Sequence, residues 1–226
     1  MKRRNFVLTT VAASLGALSP ASGAETAQAL PRRSRIRVAF MLGNDTNVID
    51  TAGPWEVFQD VMVMTEGTHS NPFELITVGP SREPLAMTAG LKVVPLYTFQ
   101  DAPRTEVVVV PAQRADDAAR TWLRNSAKHA DMVFSVCTGA YQLARAGLLD
   151  GLAATTHHDF WDDFAQQFPA IRLERGPRFV DNGRVATSGG LTSGIDLALH
   201  VVARYFDMAT ARATARYLEH ESQLWR

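Results

Sequence analysis

The stretch from Asp131 to Gly151, DMVFSVCTGAYQLARAGLLDG, holds the only cysteine of the chain, Cys137, and so the one side chain that combines nucleophilic and redox chemistry. Met132 to Val136 is short, apolar and β-branched, which predicts a buried strand, and Tyr141, Leu143, Leu148 and Leu149 then recur at helical spacing. Cys137 is therefore expected where a strand turns into a helix. At such a turn the first helical N–H groups have no partner within the helix, and the helix dipole adds partial positive charge. Both effects favour thiolate, the nucleophilic form, so a lowered thiol pKa is expected. Gly139 has no Cβ and lets another backbone, or a substrate, approach closely. The same strand-turn-helix device exposes the serine of G-x-S-x-G hydrolases. The competing reading of a lone cysteine is a small buried hydrophobe.

Other polar residues are weighed against this centre. Asp50 is read either as a proton donor and acceptor beside the sulfur or as a cap for a following helix. Placed against the thiol in an apolar site, its carboxyl pKa is expected to rise. Thr138 either holds a water or substrate atom or satisfies helix N–H groups. His157 and His158 prompt a metal test, but no ligand at suitable spacing joins them, Asp159 being adjacent, so no metal is expected. His157 is expected to line or orient the pocket, with His158 its exposed neighbour.

The elements that must position these residues alternate between strand and helix. Ile36 to Leu42 reads as a first buried strand and is followed by the loop GNDTNVID. A helix is predicted from about Pro54 to Met64, with Pro54 at the first helical position. Phe73 to Val78 is a second strand, and Leu85 to Thr88 with Lys92 to Pro95 form a small hairpin around Ala89-Gly90. Glu106 to Pro111 carries four consecutive valines, a pattern suited to burial on both faces. Asp116 caps a helix running to His129. Beyond the cysteine segment come a short strand, Ala153 to Thr156, and a helix, Asp159 to Phe168. Phe179-Val180 and Val185 to Thr187 flank the hairpin signal Asp181-Asn182-Gly183. Ser188-Gly189-Gly190 forms a sharp loop, Thr192 caps a helix to about Phe206, and a last helix spans Ala209 to Leu224. Such alternation predicts a parallel sheet covered on both faces, with ligands beyond the carboxyl ends of its strands.

Composition narrows the classes. The 226 residues suit one large domain; with 46% hydrophobic and 20% charged residues the chain can bury a sizeable core. Twenty-three basic residues balance 23 acidic ones, so no electrostatic footprint for nucleic acid or anionic membrane exists at the level of net charge. One cysteine forbids an intramolecular disulfide. Residues 1–24 resemble an export signal: Lys2-Arg3-Arg4, an apolar stretch from Val7 to Leu18, and Ser22-Gly23-Ala24 as a small-residue end. The adjacent arginines suggest the twin-arginine route, and hence a periplasmic protein with no membrane attachment after cleavage, expected after Ala24. Residues 25–35 read as a solvated linker and 36–226 as the folded domain.

Four segments together carry a resemblance: SVCTGAYQLARAGLLDG, the downstream ATTHH, VIDTAGPWEVFQD, and ATSGGLTSGIDLALHVVARYF. In order and spacing, from about Ile36 to Phe206, they resemble the DJ-1/PfpI superfamily of class I glutamine amidotransferase-like proteins. More narrowly, they are similar to the branch containing isonitrile hydratase and the N-terminal sensor domains of AraC-type regulators. The resemblance implies an α/β, flavodoxin-like sandwich with a mainly parallel central sheet and helices on both faces, and a homodimer. It implies Cys137 as nucleophile, Asp50 as the aspartate of a D-x-x-G-P motif that includes Gly53 and Pro54, and Thr138 as the branch's threonine after the cysteine. His157 matches a histidine that several members place near the thiol. Most relatives have P-G-G after the valine-rich strand, where glycine N–H groups help form an oxyanion hole; this chain has Pro111-Ala112-Gln113. Those backbone donors persist if φ there suits alanine. Gly53, Ala112, Gln113, His157 and Gly190 are thus the expected substrate-binding residues, with no cofactor.

The function implied is a cysteine-dependent hydro-lyase that converts a small isonitrile and water into an N-substituted formamide. Two alternatives stand beside it: a non-catalytic or stress-sensing module with an oxidisable Cys137, and a glyoxalase- or deglycase-like activity on small aldehydes. A transcription factor is not expected, because the chain ends soon after the last family helix.

Overall fold

The computed structural model describes residues 28–226 apart from position 66. The expected export signal lies outside the described residues. Seven strands build the central sheet: β1 (Ile36–Met41), β2 (Phe73–Gly79), β3 (Tyr97–Thr98), β4 (Val107–Val110), β5 (Met132–Ser135), β6 (Phe179–Asp181) and β7 (Val185–Ser188). Their spatial order is β6-β7-β5-β4-β1-β2-β3. Every neighbouring pair is parallel except the β6-β7 hairpin. The central strands are buried on both faces, which is why they read as unbroken apolar runs rather than as alternation.

Side-chain alternation divides two cores. Val38, Phe40, Val107, Val109 and Phe134 face α1 (Val48–Gln59), α5 (Ser193–Tyr205) and α6 (Met208–Tyr217). Ala39, Met41, Val108, Val110 and Val133 face α2 (Asp117–Ala127), α3 (Ala140–Arg145) and α4 (Trp161–Gln167). Fully buried Phe40, Phe58, Phe134 and Phe164 each stabilise the fold by about 1.5–3 kcal/mol through burial alone. The expected α/β sandwich, with a mainly parallel sheet between helices, is the observed one.

Several element boundaries differ from expectation for identifiable reasons. The helix predicted from Pro54 starts at Val48, because the side chain of Asn47 caps it, accepting from Ile49 N–H (3.1 Å) and Asp50 N–H (3.3 Å). Asp50 is therefore not a cap but a first-turn residue, and Pro54 lies inside the helix. That helix ends at Gln59, and the residues assigned to its end enter an antiparallel hairpin, Val63–Thr65 with Thr68–Ser70. Asp116 does cap α2, accepting from Ala119 N–H at 2.8 Å. Thr192 precedes α5 without a capping bond; its hydroxyl accepts from Arg178 Nη2 at 3.2 Å instead. The last helix stops at Tyr217, and the following residues return to bury Trp225.

The segment expected as a linker is exposed over residues 28–35 except at Leu30, which is buried. Leu30 N–H donates to the Arg204 carbonyl (2.8 Å), and Arg204 Nε donates to the Gln28 carbonyl (2.8 Å). Arg33 forms a two-bond pair with Asp131 at 2.7 and 2.8 Å. These contacts fasten the segment along the domain. Among the described residues no helix is long and apolar enough to cross a membrane.

Candidate active site

Cys137 sits just past the carboxyl end of β5, at the first position of a three-residue 3₁₀ turn, Cys137–Gly139, that leads into α3. Its φ is 59°, in the left-handed region that costs a non-glycine residue about 1–2 kcal/mol. Both of its backbone polar groups are tied: its N–H donates to the Gly189 carbonyl (2.9 Å), and its carbonyl accepts from Thr156 Oγ1 (3.0 Å). These bonds hold the strained turn. A Cβ on Gly139 would fall on the Val110 carbonyl at the end of β4. The close approach read from that glycine is thus backbone against backbone, and it sets the turn down on the sheet.

Asp50 reaches the same place from α1. Its carboxyl is fully buried, and Oδ2 accepts the Ala112 N–H at 3.1 Å. Burial pushes its pKa up to about 7, against the opposing influence of the Ala112 N–H and then of the neighbouring Cys137 thiol, while Oδ1 is buried without a hydrogen-bond partner. The expected rise is present. The thiol, however, is not lowered: burial first, and the neighbouring Asp50 second, push it up to about 11. Opposing that rise are the N–H groups of Thr138 and Leu191 and the Thr138 hydroxyl. The expectation of a resting thiolate is therefore overturned. Helix-terminal donors are present, but they do not offset desolvation of a cysteine only 6% exposed that also faces a carboxylate.

Around the sulfur lies a cleft of about 390 Å³ whose wall includes Asn47, Ala112, Gln113, Thr138, His157 and Leu191. Arg114 and Asp45 also border it and form an exposed ion pair at 2.9 Å. Neither Ala112 nor Gln113 has a positive φ, so side chains are accommodated where relatives carry glycine. The Ala112 N–H is already engaged by Asp50. Gln113 turns its side chain inward, Nε2 donating to the Met41 carbonyl at 2.7 Å. His157 is half-buried on the cleft wall, and its Nδ1 accepts the Asp159 N–H at 3.2 Å.

Two expected binding residues stand behind the wall rather than on it. A Cβ on Gly53 would meet Ile195 Cγ1 at 2.8 Å, so this glycine brings α1 against α5. A Cβ on Gly190 would strike the His157 ring, so Gly190 seats that ring from behind. Leu191, with φ 54°, supplies the cleft contact there. Sequence pattern carries no signal for it, since a leucine in the left-handed region has no compositional mark. His157, His158 and Asp159 do form a group whose ligand atoms lie within 4.8 Å of one another. The two imidazoles are stacked at 4.4 Å, an arrangement in which in-plane lone pairs run side by side instead of converging on one ion. A larger groove, about 700 Å³, lies between α2 and the segment after β3, and it includes Phe99 and Trp122 but no thiol.

Residues 36–204 match the model of the DJ-1/PfpI family. Isonitrile hydratase of Pseudomonas putida is 30% identical over 191 residues, covering 82% of this chain and 78% of that protein. The transcriptional regulator GbdR of Pseudomonas aeruginosa is 32% identical over 120 residues, which is 51% of this chain and 32% of the regulator. Among solved structures, a ThiJ/PfpI family protein from Pseudomonas syringae superposes with a TM-score of 0.73 at 26% identity, covering 93% of this chain and 83% of that one.

Proposed function

We propose a function from one established premise: the chain belongs to the DJ-1/PfpI family. On that premise its cleft is the active site of a cysteine-dependent hydro-lyase of isonitrile hydratase type, adding water to R–NC to give R–NH–CHO. The observation that carries this reading is the buried Asp50 carboxyl set against the Cys137 thiol, titrating near neutrality while the thiol does not. In such a pair the thiol keeps its proton at neutral pH while the carboxyl gains and loses one readily, so the carboxyl can relay a proton to a substrate. The 30% identity to the Pseudomonas putida hydratase supports the substrate class.

Each step follows from the pair. Asp50, as carboxylate, takes the S–H proton while Sγ bonds to the terminal isonitrile carbon, and returns that proton to the same carbon, leaving R–N=CH–S–Cys137. Water oriented by the Thr138 hydroxyl adds to this carbon, and its proton passes through Asp50 to the nitrogen. The C–S bond then breaks, R–NH–CHO departs, and the remaining hydroxyl proton returns to sulfur. The sum is isonitrile plus water to formamide, with both side chains restored. N–H groups of Thr138 and Leu191 stabilise negative charge on the sulfur as its proton leaves. The Ala112 N–H holds Asp50 in place.

A second reading has a specific observation in its favour. The similarity to the regulator GbdR supports a module that binds a small ligand in the same cleft without turning it over. The peroxide-sensing variant of that reading is weakened by a thiol that rests protonated. The aldehyde reading needs a free oxyanion donor, and the Ala112 N–H is already spent on Asp50. Export to the periplasm and a homodimer belong to this proposal; size measurement of the secreted chain tests both. Formamide production from a small alkyl isonitrile, lost on Cys137→Ala, separates the hydratase from the binding module.

A further inference from the structure

The four-residue loop Gly189–Thr192 delivers one of the N–H groups at the sulfur, and one residue pins both of its ends. The Arg178 carbonyl accepts the Gly189 N–H at 2.9 Å, and the Arg178 guanidinium donates to Thr192 Oγ1 at 3.2 Å. Between those pins Leu191 holds φ at 54° and lines the cleft beside Cys137. The Gly189 carbonyl in turn receives the Cys137 N–H at 2.9 Å, so the loop grips the nucleophile from two sides.

Arg178 is itself clamped. Asp196, fully buried on α5, accepts from Arg178 Nε at 2.6 Å and also from its Nη2. The other carboxylate oxygen of Asp196 faces His220 Nε2 at 3.0 Å. His220 belongs to the segment that follows α6 and folds back over α5. Two guanidinium nitrogens converge on one oxygen of a fully buried carboxylate, which keeps the guanidinium from swinging into water.

We propose that the Arg178–Asp196–His220 cluster is a positioning device for the active site, holding the Gly189–Thr192 loop against Cys137 and thereby setting the acidity of the thiol. The inference rests on Cys137 as the reacting group, not on which substrate it attacks. The Gly190 and Leu191 carbonyls accept the Ser193 and Gly194 N–H groups, both at 3.1 Å, which ties the loop to the start of α5, and Arg178 is the residue that bonds to both loop ends. The C-terminal segment, through His220, then takes part in tuning a sulfur it does not touch.

Iodoacetamide alkylation tests this without any turnover, because Cys137 is the only thiol in the chain. The pH dependence of its rate gives the thiol pKa for the whole protein and for variants shown to be folded by circular dichroism. Thr192→Val removes one pin with no change of charge, and Arg178→Met removes the clamp. Both are expected to raise the thiol pKa, by up to about one unit, or a tenfold loss of thiolate at fixed pH. Arg178→Lys, which keeps the charge but cannot bond Asp196 and Thr192 together, is expected to recover only part of that loss, and His220→Gln to give a smaller rise. His200→Gln is the control: His200 Nε2 faces Asp181 Oδ2 at 3.0 Å in a neighbouring cluster on the same helix, so its loss loosens α5 without reaching Leu191. An unchanged thiol pKa in folded Thr192→Val and Arg178→Met overturns the proposal, as does an equal rise in His200→Gln. Should the thiol follow the cluster while no isonitrile is hydrated, the hydratase reading fails and this inference stands.

Discussion

The carboxyl of Asp50 and the thiol of Cys137 act on each other in opposite senses: the carboxyl pushes the thiol up, and the thiol draws the carboxyl back from where burial alone would put it. They come from opposite parts of the chain, one from the first turn of α1 and one from the strained turn after β5. They meet at the carboxyl ends of β1 and β5, on either side of β4, and Ala112 just after β4 bonds to Asp50; gathering groups from several strand ends is what the topology of an open α/β sheet provides.

Asp50→Asn separates the two roles of this carboxyl. Removing its charge takes away one of the influences that raise the thiol, so the Cys137 pKa is expected to fall from about 11. Formamide production is expected to fall by at least about 10²-fold, as when a general acid–base group is lost. Alkylation against pH and turnover on the same sample check both. A more acidic thiol with less activity is the signature of a proton carrier; retained activity removes Asp50 from the mechanism.

Asp50 also makes stability depend on pH. An acid whose folded pKa is raised binds its proton more tightly folded than unfolded, so its favourable contribution is complete below the unfolded value of 3.8 and is lost as pH rises through about 7. At about 1.4 kcal/mol per unit, the loss is on the order of 4 kcal/mol. Urea unfolding at about pH 4.5 and about pH 7.5 is expected to show this fall in the parent chain and a much flatter profile in Asp50→Asn.

The glycines predict two distinct failures. Gly139→Ala drives a Cβ into the Val110 carbonyl, a backbone atom with no rotamer to escape by, and is expected to destabilise the protein by more than about 2 kcal/mol. Gly190→Ala strikes a side chain instead, the His157 ring, which can move into the cleft. Its expected effect is a raised KM with a smaller loss of stability. Equilibrium unfolding and steady-state kinetics on the pair distinguish them.

Arg204 is nearly buried and donates to both oxygens of Asp181, to the Gly183 carbonyl at 2.6 Å and to the Gln28 carbonyl. Arg204→Leu leaves the Asp181 carboxylate with only His200 and the Gly183 N–H, and strips the Gly183 and Gln28 carbonyls of a donor, at an expected cost of about 1–3 kcal/mol. It should also release the segment around Leu30, read as faster amide exchange of Leu30 N–H, whose acceptor is the Arg204 carbonyl.

Local pattern made the elbow legible, because a β-branched run ending at Cys-Thr-Gly before helical periodicity has few other solutions. Asp50 was legible through the resemblance alone; its own neighbours suggested a cap, a role that Asn47 fills. The thiol state was misread because counting helix N–H groups says nothing of desolvation, which depends on how α1, α5 and the Gly189–Thr192 loop close over the sulfur. Leu191 is invisible for a related reason: its place on the cleft beside the sulfur follows from how the Gly189–Thr192 loop is held, which includes bonds to Arg178 at the far side of a hairpin. Gly53 and Gly190, expected to bind substrate, stand behind the cleft: Gly53 lets α1 approach Ile195 on α5, and Gly190 backs the His157 ring, close approaches that spacing alone does not reveal.

Turnover of a small alkyl isonitrile, followed as formamide by the full chain and by Cys137→Ala side by side, tests the central claim most directly. The expected result is formamide from the parent chain and none above background from the variant, with both proteins folded. Equal formamide from the two, or none from a folded parent whose Cys137 titrates and alkylates normally, would contradict a cysteine-dependent hydratase.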